Sequence, residues 1–154
     1  MYTTTVYESP PAHWVWRNPP KKFGVKMMTS FTNQLKTLLA QPQLDFAVLV
    51  GSRAKGTAHD HSDWDIALQW APQLDWLTML SRTETLRSQL ADALHIAPTA
   101  IDLIELRRAN LAMRASVAEE GVPLAGQDSL AWANFLQSTW RELEDFYWAK
   151  QHAT

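Results

Sequence analysis

Three short apolar runs along the chain have the length and character of β-strands. They cover Phe46–Val50, Asp65–Trp70 and Ala100–Leu106. The first run is apolar at every position, which is typical of a strand that is buried on both faces. Pro72 follows the second run closely and predicts its end.

Between and around these runs, apolar residues recur every three or four positions, which predicts helices. The predicted helices cover Ser30–Gln41, Leu74–His95, Ala109–Glu119 and a last segment from Asp128 or Ser129 to Gln151. The long second helix has a predicted buried stripe of Leu77, Leu80, Leu86, Leu90 and Leu94. The last helix has a wide aromatic stripe of Trp132, Phe135, Leu136, Leu143, Phe146 and Tyr147. Gly121 is expected to cap the third helix, and residues 121–124 to form a short extended piece.

This order of elements predicts an α/β fold with a small mixed sheet, helices on one side of it and a C-terminal helix. The predicted domain is 27–154. Residues 1–26 differ from it, because Pro10-Pro11 and Pro19-Pro20 break any helix. We expect an extended or disordered arm there.

Composition places the chain among globular cytoplasmic proteins. It has 154 residues, 46% hydrophobic and 19% charged, a formal net charge of -2 and no cysteine. The charge gives no general reason to expect binding to nucleic acid or to an anionic membrane. No apolar run is long enough to span a bilayer. Eight tryptophans are many for this length, and either a tryptophan-rich core or a protein interface explains them.

The residues with the clearest chemistry lie between the first two strands. Gly51-Ser52 directly follows the first apolar run, and Asp63 and Asp65 open the second. Side chains alternate along a strand, so the two carboxylates point the same way and suit a magnesium ion. The glycine turn allows close approach of a phosphate to backbone N–H groups. Together they predict a site for a nucleoside triphosphate.

The same stretch resembles the signature of the nucleotidyltransferase superfamily typified by DNA polymerase beta. Gly51-Ser52, ten residues and then Asp63-x-Asp65 carry the resemblance, with Ala54, Gly56 and Ser62 in their usual places. The sequence of this motif is most similar to that of the minimal nucleotidyltransferases of the MntA type, which are antitoxins. The resemblance implies a polymerase-beta-like fold, Mg²⁺ held by the acids and ATP as substrate.

A third carboxylate is expected from the strand that follows the long helix. In the superfamily such an acid acts as a general base or completes the metal site, and Asp102 is the candidate that the resemblance implies. Glu105 is its competitor. We favour Asp102 because a lone acid within an apolar strand is costly to bury unless it is paired or bound to a metal.

The predicted nucleotide-binding residues are Gly51, Ser52, Arg53, Lys55 and Ser62. Ser52 alternatively caps a short helix, and Arg53 and Lys55 are equally explained as exposed charges. His59 and His61 lack a further ligand at a recognised spacing and are weak evidence for a metal.

The resemblance also implies the reaction and the partner. In the MntA-type family, the antitoxin transfers AMP from ATP to a tyrosine of a HEPN-domain ribonuclease toxin and neutralises it. Two alternatives stay open: a small-molecule nucleotidyltransferase acting on an aminoglycoside-like acceptor, and an antitoxin that acts by binding alone. The aromatic C-terminal helix is the candidate docking surface.

Overall fold

The computed structural model describes residues 25–153, and side chains from Phe31 onward. The helices are α1 Val25–Leu39, α2 Gly51–Lys55, α3 Trp76–Leu94, α4 Leu111–Glu120 and α5 Leu130–His152. The strands are β1 Leu44–Val50, β2 Trp64–Trp70, β3 Ile101–Glu105 and β4 Val122–Ala125. The arm predicted over residues 1–26 lies outside the described residues except for its last two, which belong to α1. None of the described helices is long and apolar enough to cross a membrane.

The four strands form one mixed sheet in the order β3-β2-β1-β4. The central strand β1 runs antiparallel to both β2 and β4, whereas β2 and β3 are parallel. A parallel pair needs a crossover, and α3 provides it. The predicted mixed α/β sheet is confirmed.

Helices cover both faces of this sheet, so the prediction of helices on one side was wrong. One core contains Leu35 of α1 and Leu86 of α3 packed with Ala47 and Leu49 of β1. The other contains Val117 of α4 and Phe135 of α5 together with alternate β1 residues. The unbroken apolar run of β1 already required this, because such a strand has no polar face to turn to solvent.

The N-terminal part of α3 exposes two of the leucines that the sequence placed in the buried stripe. Asp75 caps the helix by accepting a 2.9 Å hydrogen bond from the Thr78 N–H. Leu77 is 73% exposed and Leu80 44% exposed, so their predicted place in the buried stripe was wrong. At 3.6 residues per turn Leu77 points to the opposite side of α3 from Leu86, whereas Met79, which lies between the two exposed leucines, packs against the core. Leu77 and Leu80 are thus out of phase with the buried stripe.

Gly121 ends α4, but not as a left-handed cap. Its φ is -69°, and its N–H donates to the Val117 carbonyl. A Cβ on Gly121 would lie 2.4 Å from Cγ1 of Val48 and 2.5 Å from the Val117 oxygen. Glycine is therefore required here because β4 begins in close contact with β1, not because of its backbone dihedral.

The last helix divides its aromatic stripe between core and solvent. Ser129 caps α5 by accepting a 3.1 Å hydrogen bond from the Trp132 N–H. The Trp132 and Phe135 rings pack on Phe46 at centroid distances of 5.0 and 5.4 Å. In contrast, Phe146, Tyr147 and Trp148 are each more than half exposed. The distal part of α5 therefore presents apolar surface to solvent.

Thr139, on the inner side of α5, is expected to lower the stability of the fold. Its side chain is fully buried, and its hydroxyl finds no hydrogen-bond partner among the residues that the structure describes. Replacing it with valine keeps the shape, so we expect Thr139→Val to raise the free energy of unfolding by about 1 kcal/mol. Urea denaturation measures this change. Thr139→Ser, which keeps the hydroxyl and removes the methyl group, should instead lower stability; a destabilised Thr139→Val would show that the hydroxyl is bonded.

Candidate active site

The turn between β1 and α2 lies directly against Asp65. Gly51 has a φ of +71°, a left-handed conformation that favours glycine. A Cβ on Gly51 would lie only 2.3 Å from Oδ2 of Asp65. The β1–β2 pairing sets this contact, because Val50 is the partner of Asp65 in the antiparallel register. The glycine turn and the acid predicted to face it are therefore in contact.

The parallel pairing of β2 and β3 places Asp102 next to Asp65. These two residues are direct partners in the register. Their strand neighbours Ala67 and Ile104, two positions on, both pack in the core below α4 and α5. Because side chains alternate, Asp65 and Asp102 point to that same face. The strand register thus brings together two of the three predicted acids.

Asp63 completes the group from just outside the sheet. It is exposed and precedes the first residue of β2, Trp64, which packs against the opposite core as alternation predicts. Burial raises the pKa of the Asp65 carboxyl, and the negative charges of Asp102 and then Asp63 raise it further. The three carboxylates therefore interact electrostatically, and Asp65 lies at the centre.

The reason given above for choosing Asp102 was wrong, because Asp102 is exposed on an edge strand. The more buried acid of β3 is Glu105, which is partly buried and whose carboxylate accepts hydrogen bonds from the N–H groups of Trp70 and Arg107 at 3.4 and 3.1 Å. Burial raises the pKa of Glu105, whereas those hydrogen bonds lower it. Glu105 joins the ends of β2 and β3, and the register, not the cost of burial, is what distinguishes Asp102.

The three carboxylates are suitable ligands for a magnesium ion, but they do not enclose one by themselves. In residues 25–153 no three His, Asp or Glu side chains converge closely enough to enclose a metal. Magnesium, however, is usually bound by one or two carboxylates together with waters and substrate phosphates. The charges of Asp102 and Asp63 repel the charge of Asp65, and a bound divalent cation would relieve that repulsion. The residues present therefore fit an ion that arrives with a triphosphate.

Ser52 lies at the start of α2, as expected, but it does not cap the helix. The N-cap position is Val50, without a side-chain cap hydrogen bond. The Ser52 carbonyl instead accepts from the backbone N–H groups of Gly56 and Thr57. The alternative reading of Ser52 as a simple helix cap is therefore not what the structure contains.

The other predicted nucleotide-binding side chains are engaged within the protein. Lys55 forms a 2.8 Å ion pair with Glu120 on the surface. The Ser62 hydroxyl accepts a 3.0 Å hydrogen bond from the His59 N–H, and the Ser62 N–H donates to the His59 carbonyl. Ser62 thus closes a turn in the loop, and both histidines of that loop are exposed.

Sequence reasoning missed two partners of these residues. Arg53 lies over the face of Trp64, 4.3 Å from the ring centroid, where the sequence indicated only a core tryptophan. The alternation of side chains along β2 turns Trp64 away from the acids, and this was the sequence signal that could have indicated a contact with Arg53. Glu120, the partner of Lys55, ends a helix that is distant in sequence, and no pattern in the chain indicated this contact.

The comparisons with known proteins agree with this geometry. The family model described as polymerase beta, nucleotidyltransferase, matches residues 33–130, which is more than half of the chain. The chain belongs to this nucleotidyltransferase family. The match includes β1, the glycine turn and all three acids. A comparison with curated protein sequences finds no match.

Solved structures narrow the resemblance within the nucleotidyltransferases. A chain of a toxin–antitoxin complex with AMP-PNP is 30% identical with a TM-score of 0.60, over 78% of this chain and 92% of that chain. A chain of the MntA–HepT toxin–antitoxin is 28% identical, with a TM-score of 0.56 over 80% and 92%. A chain from the tri-AMPylated Shewanella oneidensis HEPN toxin with its MNT antitoxin is 26% identical, with a TM-score of 0.58 over 81% and 93%. This nucleotidyltransferase therefore resembles the MntA-type antitoxins.

Proposed function

We propose that this protein is a magnesium-dependent adenylyltransferase antitoxin that transfers AMP from ATP to a tyrosine of a HEPN-type ribonuclease toxin. The observation that carries the proposal is the pairing of Asp65 with Asp102, beneath the Gly51 turn and beside Asp63. The similar chains come from toxin–antitoxin complexes, one containing AMP-PNP and another an AMPylated HEPN toxin. The lack of cysteine suits a reducing compartment, and we place the reaction in the cytoplasm.

In this proposal the residues around the glycine turn bind the nucleotide. The Gly51 turn contributes backbone N–H groups and Ser52 its hydroxyl to the triphosphate. Asp63, Asp65 and Asp102 would hold magnesium, which neutralises charge on the departing phosphates when bound. Lys55 can reach a phosphate only by exchanging its partner Glu120.

The transfer exchanges one phosphorus–oxygen bond for another. The tyrosine oxygen forms a bond to the α-phosphorus of ATP, and the bond between that phosphorus and the bridging oxygen to the β-phosphate breaks. Pyrophosphate leaves with the electron pair. The tyrosine hydroxyl loses its proton, and we assign Asp102 as the acceptor because it is exposed and is the direct strand partner of Asp65.

The acceptor is brought by a second protein. After β3 the described chain contains a short 3-10 turn, α4, β4 and α5, and the two helices also build the core under the acids. The distal surface of α5 formed by Phe146, Tyr147 and Trp148 is exposed and apolar, and we propose that the toxin docks there. AMP on the toxin would add negative charge and bulk beside an RNA-cutting site and repel the phosphate backbone.

Intact-mass spectrometry of the toxin tests this function. We expect its mass to rise by whole AMP units after incubation with this protein, ATP and magnesium. The Asp63→Asn/Asp65→Asn variant should leave the mass unchanged. Asp92→Asn/Asp128→Asn, which changes two exposed acids elsewhere, is the matched control and should act as the wild type does.

Two other results would contradict the proposal. A stable complex without a mass change, with the toxin still silenced by the Asp63/Asp65 variant, would identify an antitoxin that acts by binding alone. Activity on a purified aminoglycoside in the absence of any protein partner would identify a small-molecule nucleotidyltransferase.

A further inference from the structure

Arg53 occupies a position unlike that of a phosphate-binding arginine. It lies on α2, two residues after the Gly51 turn. Its Nη2 donates a 2.7 Å hydrogen bond to the Ser62 carbonyl, and its guanidinium carbon lies 4.3 Å from the centroid of the Trp64 ring. One face of the guanidinium and an N–H of Nη2 are thus used in contacts within the protein.

Part of the Arg53 head group is withdrawn from solvent, although the residue as a whole is only partly buried. Its Nε is buried and has no hydrogen-bond partner among the residues that the structure describes. Burial lowers the pKa of Arg53, against the charges of Asp60 and Asp63, which raise it. An arginine that binds a phosphate presents its fork of N–H donors to the open site, whereas Arg53 uses Nη2 on the Ser62 carbonyl and buries Nε.

The two contacts of Arg53 flank one acid. Ser62 precedes Asp63 and Trp64 follows it, so a single guanidinium fixes the residues on both sides of Asp63. Asp63 needs such support because it lies outside β2 and is exposed. Asp65, in contrast, is held by strand pairing on both sides.

We propose that Arg53 is a positioning residue that fixes Asp63 relative to Asp65 through Ser62 and Trp64, and is not a ligand of the triphosphate. The inference rests on the proposed function, because it concerns the acids that would hold the metal. Through these contacts Arg53 also links α2, which follows the glycine turn, to the residues on either side of Asp63.

Lysine cannot replace Arg53 in this role. An ammonium is a compact point charge and lacks both the planar face that stacks on Trp64 and the fork that reaches Ser62. If Arg53 instead bound the triphosphate, replacing its bidentate fork with the point charge of lysine would weaken binding of the nucleotide itself, with or without metal. Arg53→Lys therefore separates the two roles.

Binding of Mn²⁺ and of AMP-PNP to the isolated protein tests the inference. Electron paramagnetic resonance measures Mn²⁺ binding in the presence of AMP-PNP, and calorimetry measures AMP-PNP binding without a divalent ion. We expect Arg53→Lys to raise the Mn²⁺ dissociation constant about tenfold, as loss of a supporting contact to a metal ligand does. The metal-free affinity for AMP-PNP should stay within about twofold of the wild type. Arg141→Lys, an exposed arginine on α5, is the matched control and should change neither.

A double-mutant cycle identifies the residue through which Arg53 acts. If Arg53 acts through Asp63, the effect of Arg53→Lys on Mn²⁺ binding should disappear in the Asp63→Asn background. If Arg53→Lys does not fold, as judged by its melting curve, Trp64→Phe carries the test, since phenylalanine offers a weaker face to the guanidinium.

Several results would overturn the inference. A fall in the metal-free AMP-PNP affinity of Arg53→Lys would make Arg53 a phosphate ligand. Unchanged Mn²⁺ binding by Arg53→Lys, or additive effects of the two substitutions in the double-mutant cycle, would show that Arg53 does not position Asp63. A wild type that binds no Mn²⁺ would overturn the metal site and this inference together. A wild type that binds Mn²⁺ but leaves the toxin unmodified would overturn only the proposed acceptor.

Discussion

Asp65→Asn is expected to reduce AMP transfer about a thousandfold and at the same time to raise the melting temperature. Asp65 lies between Asp102, its partner in the parallel register, and Asp63, and their charges together with burial raise its pKa. Asparagine has the same shape without the charge. The catalytic loss corresponds to the several kcal/mol of charge stabilisation that a bound metal supplies to a transition state.

The gain in stability has the same cause. Removing one of two like charges at opposed strand positions is worth on the order of 0.5 kcal/mol, which is about 2 °C for a chain of this size. Initial rates of AMP incorporation into the toxin and thermal melting measure the two effects. Salt should shrink the stability gain, because it screens the repulsion in the wild type.

The variants Asp102→Asn and Glu105→Gln sharpen the test. Asp102→Asn should also slow transfer, whereas Glu105→Gln should act on stability alone, because Glu105 bonds the ends of β2 and β3. Activity of Asp65→Asn within tenfold of the wild type would remove Asp65 from the metal site. A lowered melting temperature would show that no repulsion is relieved.

Gly51→Ala is expected to lose both activity and stability. The φ of +71° at Gly51 strains any residue with a side chain, which costs about 1–3 kcal/mol. The added Cβ would also lie 2.3 Å from Oδ2 of Asp65, so either the turn or the carboxylate must move. A displacement of about 1 Å in a catalytic group can cost roughly a hundredfold in rate. Urea denaturation and the initial rate of AMP transfer measure the two losses.

Gly126→Ala is the matched control for this substitution. Gly126 also has a φ of +71°, and a Cβ there would lie 2.1 Å from the Asp45 carbonyl oxygen, near the start of β1 and away from the acids. We expect Gly126→Ala to lose stability while its folded fraction keeps the wild-type rate. Equal rates per folded molecule for Gly51→Ala and Gly126→Ala would contradict a specific role for the Gly51–Asp65 contact.

Much of the fold was predictable because local patterns determined it. Apolar runs located β1, β2 and β3 to within two residues of their observed ends, and the predicted cap at Asp128 or Ser129 located the start of α5, where Ser129 is the cap. Two errors had different causes. Leu77 and Leu80 are exposed because they lie out of helical phase with Leu86, whereas Gly121 is required by its contact with Val48, which is distant in sequence.

The candidate site, like the fold, was predictable from the sequence only in part. The sequence by itself determined the glycine turn, the acids Asp63 and Asp65 and the family resemblance, because residues close together along the chain and the alternation of a strand are enough to define them. Only the tertiary structure decided that Asp102 rather than Glu105 lies beside Asp65, since strand register depends on pairing between distant segments. It also decided that Arg53 contacts Ser62 and Trp64 on either side of Asp63, because the path of the loop back over α2 is a property of the folded chain and not of any local pattern.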